Sequence, residues 1–354
     1  MDKKNIIHPR TAKASHLYNA SFAKAILLIC VMLCHSFAFW GGWFNNSLTP
    51  VISAPYLGVF ANWLGTFEVE GFVIVSGFIY SYIRHEKNGY TDITLFIKNK
   101  FQRLLIPYIL VSIFWVIPIG KFFSHYTVKD VICNYLLGVS PSQLWFLPML
   151  FLVFVIFHKL ESLNKISNTL KFLIIIVLYG IGIVGMSFFS NYNYFQIFTS
   201  LKYLLFFQIG YYLRCNYNKI FETRFGLNSS IVLSILIVVD LLGYALYVLH
   251  PKQSLFLALN VLGAIMSCSL LFKISKWVDK CPFSKYVSVV IDNSYGMYLF
   301  HQQIIYFVIY SLNGFVHPLF NASLNFIISF IFSLLLTWLL RKNKLTSYAV
   351  GVSK

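Results

Sequence analysis

Apolar stretches long enough, or nearly so, to cross a bilayer recur along almost the whole chain, and nothing else in the sequence constrains the fold so tightly. A spanning helix needs about 20 mainly apolar residues. About ten candidates fall at 22–40, 56–83, 104–120, 144–158, 171–189, 197–213, 229–249, 254–272, 286–311 and 322–340. Charged residues make up only 11% of the 354 positions, against 58% hydrophobic. A soluble domain carries roughly 25% charged residues, so a soluble fold could not cover this much apolar surface. The expected fold is all-α: a polytopic membrane bundle of about ten transmembrane helices. It should form a single domain over 1–354, with its core at about 18–340 and no appended soluble domain. A catalytic core of the Rossmann or barrel type is excluded. The stretch 131–139 is expected to be re-entrant or interfacial. The segment DITLFIKNKFQR (92–103), which interleaves apolar and basic residues, is expected to lie on the membrane surface and feed the third span.

The charge is one-sided, with 28 Lys and Arg against 11 Asp and Glu. In a soluble protein this would suggest nucleic acid, but basic residues gather in the cytoplasmic loops of membrane proteins. No nucleic-acid partner is expected. Ten spans put both termini on one side, and 24 of the 28 basic residues fall on that side. Lys121, Lys129 and Lys252 fall opposite, and Lys202 lies within a span. The bias predicts N-in and C-in topology. The basic start (Lys3, Lys4, Arg10, Lys13) runs into an apolar stretch with no small-residue cleavage site before His35, so no removable signal peptide is expected. Six cysteines without a Cys-x-x-Cys pair give no disulfide framework, and Cys30, Cys133 and Cys268 read as small hydrophobes.

Ionisable groups inside spans are costly and mark function by default. Here they are Lys24, His35, Glu68, Glu70, Lys202, Asp240, Asp292 and His301. Lys24 and His35 are eleven residues apart, close to three turns, so they project from nearly one face about 16 Å apart. His301 should reach a depth similar to His35, and two histidines at one level can frame a site. Taken alone, Lys24 would read as snorkelling, and His301 could equally bond a neighbouring helix. Glu68 and Glu70, two residues apart, lie on roughly opposite faces, so at most one should share a cavity with His35. Glu70 could orient a histidine, or pair with Lys202 or Lys24 in helix packing. Asp240 reads as structural. The G-x-G-x-x-G match at 180–185 lies in an apolar span without a preceding strand and reads as small-residue helix packing. No H-E-x-x-H, G-x-S-x-G or P-loop is found, so no metal ligands are assigned.

Several stretches together carry a family resemblance. Lys24-AILLICVMLC-His35 resembles the first-helix signature of the membrane-bound acyltransferase family 3: a basic residue, ten others, then histidine. GFVIVSGF (71–78), FIKNKFQRLLIPY (96–108), LWFLPMLF (144–151) and NSYGMYLFH (293–301) resemble its later motifs in order and spacing. The resemblance implies an enzyme of the plasma membrane, in a bacterium, that moves an acyl group from cytoplasmic acyl-CoA to a sugar hydroxyl. The acyl group is usually acetyl, so acetyl-CoA is the implied co-substrate. The implied acceptor is an envelope glycan such as O-antigen, capsule or exopolysaccharide, or its lipid-linked precursor. His35 matches the family's essential histidine. Lys24, Lys100 and Arg103 match its donor-handling basic residues, and Ser76 and Trp145, within the quoted motifs, are assigned to the donor site with them. His35 could act as general base or as a transiently acylated nucleophile, with Glu70, Tyr298 or His301 orienting its ring or stabilising the oxyanion. The chain has no acid just before Lys24, carries Lys rather than Arg at 24 and 100, and follows Trp145 with Phe-Leu-Pro. Composition alone also suits an exporter or flippase for polysaccharide or lipid-linked sugar, although no paired repeats with broken helices are found. A polysaccharide polymerase would want a longer outer loop.

Overall fold

The computed structural model describes residues 12–42, 48–123, 126–279, 281 and 284–351, with side chains from residue 19 onward. The basic start as far as Arg10 lies outside the described residues, as does the side chain of Lys13. Among the described residues there is no strand, and the fold is an all-α bundle of membrane-spanning helices. Its longer helices, in chain order, are α1 (Ala12–Phe37), α2 (Pro55–Leu64), α3 (Glu68–Glu86), α4 (Ile93–Phe123), α5 (Phe146–Glu161), α6 (Asn168–Phe188), α7 (Ile197–Cys215), α8 (Ser230–Leu249), α9 (Gln253–Val278), α10 (Ser284–Leu312) and α11 (Pro318–Lys342).

Counting α2 and α3 as one crossing, eight segments of the described chain are long and apolar enough to traverse a membrane. The helices α7 and α10 coincide with two more of the expected spans but are more polar. They carry side chains that face inward: Thr199 and Ser200 on α7, and Asn293, His301 and Gln303 on α10, are buried. By contrast, α6 and α8 expose large apolar residues such as Val177, Val184, Leu242 and Leu249, as helices bordering lipid should. The bundle is therefore sorted by polarity, with α1, α3, α7 and α10 inside.

Two expected elements take a different form. The second span is broken at residues 65–67, which places Glu68 and Glu70 in the first turn of α3. Unsatisfied N–H groups and the helix dipole favour negative charge there, which explains why carboxylates are tolerated in mid-span. The segment 92–103 is not a separate surface helix. Asp92 caps it by accepting from the Thr94 and Leu95 amides (2.7 and 3.2 Å), and it continues without interruption to Phe123, with π-helical turns at 101–105 and 112–116. Phe96 is buried on this helix, stacked on His158 of α5 at 4.3 Å, so apolar packing against α5 holds the segment in the bundle. The stretch 131–139 holds only a short helix, Val128–Val131, extended by a π turn at 132–136.

Glycines set the closest approaches. A Cβ on Gly77 of α3 would fall on the Phe207 carbonyl, and one on Gly210 of α7 would fall on the Ile74 carbonyl. Each helix thus accepts the other's backbone, as small residues permit in membranes. In the 180–185 match, Gly182 and Gly185 of α6 abut the backbone and Phe198 ring of α7, whereas nothing lies within 4 Å of a Cβ on Gly180. Small-residue packing accounts for the motif. Gly210→Ala should therefore destabilise the protein by ~1–3 kcal/mol or more through overpacking, and Gly180→Ala should not. Melting temperatures of the two variants in one detergent test this, and equal values would contradict the described α3–α7 contact.

Candidate active site

On α1, positions 21, 24, 28 and 35 follow alternating spacings of three and four residues or their sum, so Ser21, Lys24, Leu28 and His35 form one stripe. Ser21, Lys24 and Leu28 line a cavity of about 440 Å³. Its other walls include Phe72, Ser76 and Tyr80 from α3, Lys100 and Arg103 from α4, Phe146, Leu150 and Phe154 from α5, Asp292 and Tyr295 from α10, and Arg341 from α11. The wall combines four cationic side chains with apolar and aromatic ones. Lys24, Lys100 and Arg103 are close enough to repel one another. None of these three, nor Arg341, forms an ion pair with a carboxylate among the described residues. Such a group of cations suits a polyanion, since charge-assisted bonds to phosphate are strong.

Local chemistry explains several placements. Pro107 has no N–H to give to the Arg103 carbonyl four residues back, and the Tyr295 hydroxyl donates to that carbonyl (2.8 Å). The Arg103 backbone is thereby fixed to α10. The Lys100 ammonium lies 3.6 Å from the centre of the Phe154 ring and 5.0 Å from that of Tyr90, a cation–π setting that holds the amine without neutralising it. Tyr90 has a left-handed backbone (φ 58°), its carbonyl accepts from Arg84 (2.7 Å), and its ring stacks on Tyr80 at 5.5 Å. A bulky residue at positive φ is a marked departure from the usual backbone, and here it places an aromatic wall on the cavity. The Ser76 hydroxyl, also in the wall, donates to the Phe72 carbonyl (2.9 Å).

His35 stands in the last turn of α1 and meets His301 of α10, with its Nδ1 2.8 Å from His301 Nε2 and the rings only 5° from parallel. His301 Nδ1 lies 2.7 Å from the Tyr298 carbonyl. A carbonyl only accepts, so His301 carries its hydrogen on Nδ1 and presents a lone pair at Nε2. His35 must then donate from Nδ1, which leaves its own Nε2 with a free lone pair. His301 is fully buried, whereas His35 is partly exposed. The outer histidine is thus oriented and tautomerically set by the inner one, as second-layer hydrogen bonds do for metal-bound imidazoles. The end of α1 is held in turn by Asn325 of α11, which donates to the Ser36 carbonyl (3.2 Å).

Other expected site residues lie elsewhere. His35 is partnered by His301, and Glu70 instead accepts from Tyr203 (3.1 Å) and pairs with Lys202 (3.4 Å) on α7. That is the helix-packing ion pair among the sequence readings, and it shields a buried carboxylate that would otherwise be costly. Tyr298 contributes its carbonyl to His301, while its hydroxyl is committed to the Gln143 carbonyl and so is not free to stabilise an oxyanion. Trp145 does not line the cavity. Its ring packs 5.9 Å from Tyr203, and its neighbour Phe146 faces the cavity instead. Asp240 accepts from the Trp63 indole (3.1 Å).

Sequence reading missed Tyr80, Tyr90, Tyr295 and Arg341 as wall residues. Arg341 was visible only as one more positive charge at a span end. Its guanidinium bonds the Asp292 carbonyl and Asn293 Oδ1 of α10, the latter at 3.1 Å. Gly351, also in the wall, packs on Tyr295 and the Arg103 carbonyl, so the chain after α11 folds back to the cavity.

No curated protein and no solved structure matches the chain. The profile of acyltransferase family 3, described as an acyltransferase domain, matches residues 17–342, a span that contains all eleven helices except the start of α1. The match covers nearly the whole chain, and the protein belongs to the membrane-bound acyltransferase family 3.

Proposed function

We propose that this acyltransferase takes an acyl group, most often acetyl, from cytoplasmic acyl-CoA and delivers it to a sugar hydroxyl of an envelope glycan or its lipid-linked precursor. The proposed setting is a bacterial plasma membrane, with both termini in the cytoplasm. The observation that carries the reading is the α1 stripe, which runs from a cation-lined cavity at Lys24 to an oriented imidazole at His35. Coenzyme A is a polyanion on a long flexible arm. Lys24, Lys100 and Arg103, with Arg341, would hold its phosphates while the arm carries the thioester toward the histidines.

The chemistry follows from the hydrogen-bond directions. His35 Nε2 accepts the proton of the sugar hydroxyl as its oxygen attacks the thioester carbonyl. The imidazolium so formed is balanced by its position in the last turn of α1, where the helix dipole favours a cation. Collapse of the tetrahedral adduct breaks the C–S bond, and the departing thiolate recovers the proton from His35. An ester and free coenzyme A result. His301 keeps the His35 lone pair aimed outward throughout and touches neither substrate.

Purified protein with radiolabelled acetyl-CoA and the host's envelope glycan should yield labelled, base-sensitive ester. His35→Ala should lower transfer by ~10²–10⁴-fold, the usual contribution of a general base, while inserting normally. His301→Gln should cost ~10–100-fold, as loss of an orienting partner does. Full activity in the His35 variant would remove the proposed base. Arg103→Ala should raise the KM for acetyl-CoA about tenfold or more, the value of one lost charge-assisted bond, with little change in the KM for the acceptor. An unchanged donor KM would take Arg103 out of the donor site.

A further inference from the structure

The cavity and the histidine pair do not join. On α1 the deepest wall residue is Leu28, seven residues short of His35, and on α10 it is Gly296, five short of His301. At 1.5 Å per residue the gaps are roughly 10 and 8 Å. A chain of rings fills the interval. The Lys24 ammonium lies over Phe72 (4.7 Å), and Phe72 meets Phe146 edge-on (5.0 Å, 85°). Phe146 meets Tyr298 (5.8 Å, 72°), whose ring is 6.0 Å from that of His301.

The three rings are not equally fixed. Tyr298 is tied by its hydroxyl to the Gln143 carbonyl, and Phe72 is covered by the Lys24 ammonium. Phe146 meets the rings of Phe72, Trp145 and Tyr298 edge-on and is the first residue of α5, directly after the Ser142–Trp145 turn. The residue is 6% exposed and lines the cavity together with Leu28 and Leu150. An acyl group that enters the cavity ahead of its thioester meets this ring.

We infer that Phe146 sets the acyl length this enzyme accepts, by occupying the volume that a longer chain would need. The inference rests on acyl-CoA being the donor. The side chains of Leu28, Phe72, Phe146 and Leu150 carry no hydrogen-bonding group, which suits a small alkyl group such as the methyl of acetyl or the ethyl of propionyl. An octanoyl chain would have to displace the ring from between two fixed neighbours. Selection of this kind arises from pocket volume alone and leaves the phosphate contacts unaltered.

The test uses the purified full-length protein and competition against radiolabelled acetyl-CoA by butyryl-CoA, octanoyl-CoA and free coenzyme A. Wild type should prefer acetyl-CoA over octanoyl-CoA by at least about tenfold, since even one methylene misfitted in an apolar pocket is worth that much. Phe146→Ala should raise the octanoyl-to-acetyl affinity ratio by at least about tenfold, and Phe146→Leu by a smaller factor, with free coenzyme A bound as before. Should the alanine variant not fold, the leucine variant alone decides. An unchanged ratio in the folded variants, or a wild type that binds octanoyl-CoA as well as acetyl-CoA, overturns the inference. A wild type that binds acetyl-CoA but transfers nothing to glycan would instead count against the proposed acceptor and leave the length selection standing. Failure to bind any acyl-CoA would remove the donor reading and this inference with it.

Discussion

Hydrocarbon offers a polar side chain no hydrogen bonds, so each buried polar group here needs a protein partner or a cavity. That constraint arranges the molecule. The inner helices carry the amides, hydroxyls and histidines, while α6 and α8 present aliphatic surface outward. Glu70 Oε1 is met by Lys202 and Tyr203, His301 by the Tyr298 carbonyl and His35, and Gln143 by Gln303 (2.6 Å). The cations of the cavity are arranged differently: Lys24, Lys100, Arg103 and Arg341 share its wall with Asp292, and none of them forms an ion pair with a carboxylate among the described residues.

Much of the bundle could be read from the sequence because apolar run length is a direct consequence of bilayer thickness. The α1 stripe was equally legible, since the eleven-residue spacing of Lys24 and His35 fixes their shared face whatever surrounds it. Partnerships were not. Whether Glu70 would turn to a histidine or to Lys202 depends on how α3 rotates against α7, and the glycine contacts at 77 and 210 determine that. The break at 65–67 was hidden because Gly65, Thr66 and Phe67 interrupt neither the hydropathy nor the expected length of the span. Its effect is large, since it turns two mid-span acids into first-turn residues of a helix. Tyr90 was hidden for a different reason: only its backbone conformation, in a short polar loop, brings it to the cavity.

The aromatic residues, which in sequence look like generic membrane filler, divide into two populations. Some border lipid, such as Phe188 and Trp338. Others, namely Tyr80, Tyr90, Phe96, Phe146 and Phe154, line or back the cavity. The second set supplies flat surfaces and electron-rich faces beside ammonium groups, which lets lysines sit deep in the protein without acidic neighbours.

A single rod, α10, carries the contacts at both ends of the site. Its Asn293 holds Arg341, its Tyr295 holds the Arg103 backbone, and its His301 holds His35. The separation between the cationic cluster and the imidazole pair is therefore gauged by one stiff helix, six residues or roughly 9 Å from Tyr295 to His301. Such a caliper cannot be reset by side-chain adjustment. Inserting one residue between its jaws would swing one end by about a quarter-turn relative to the other, so any evolutionary change in reach has to come from the floor of the cavity and not from its walls.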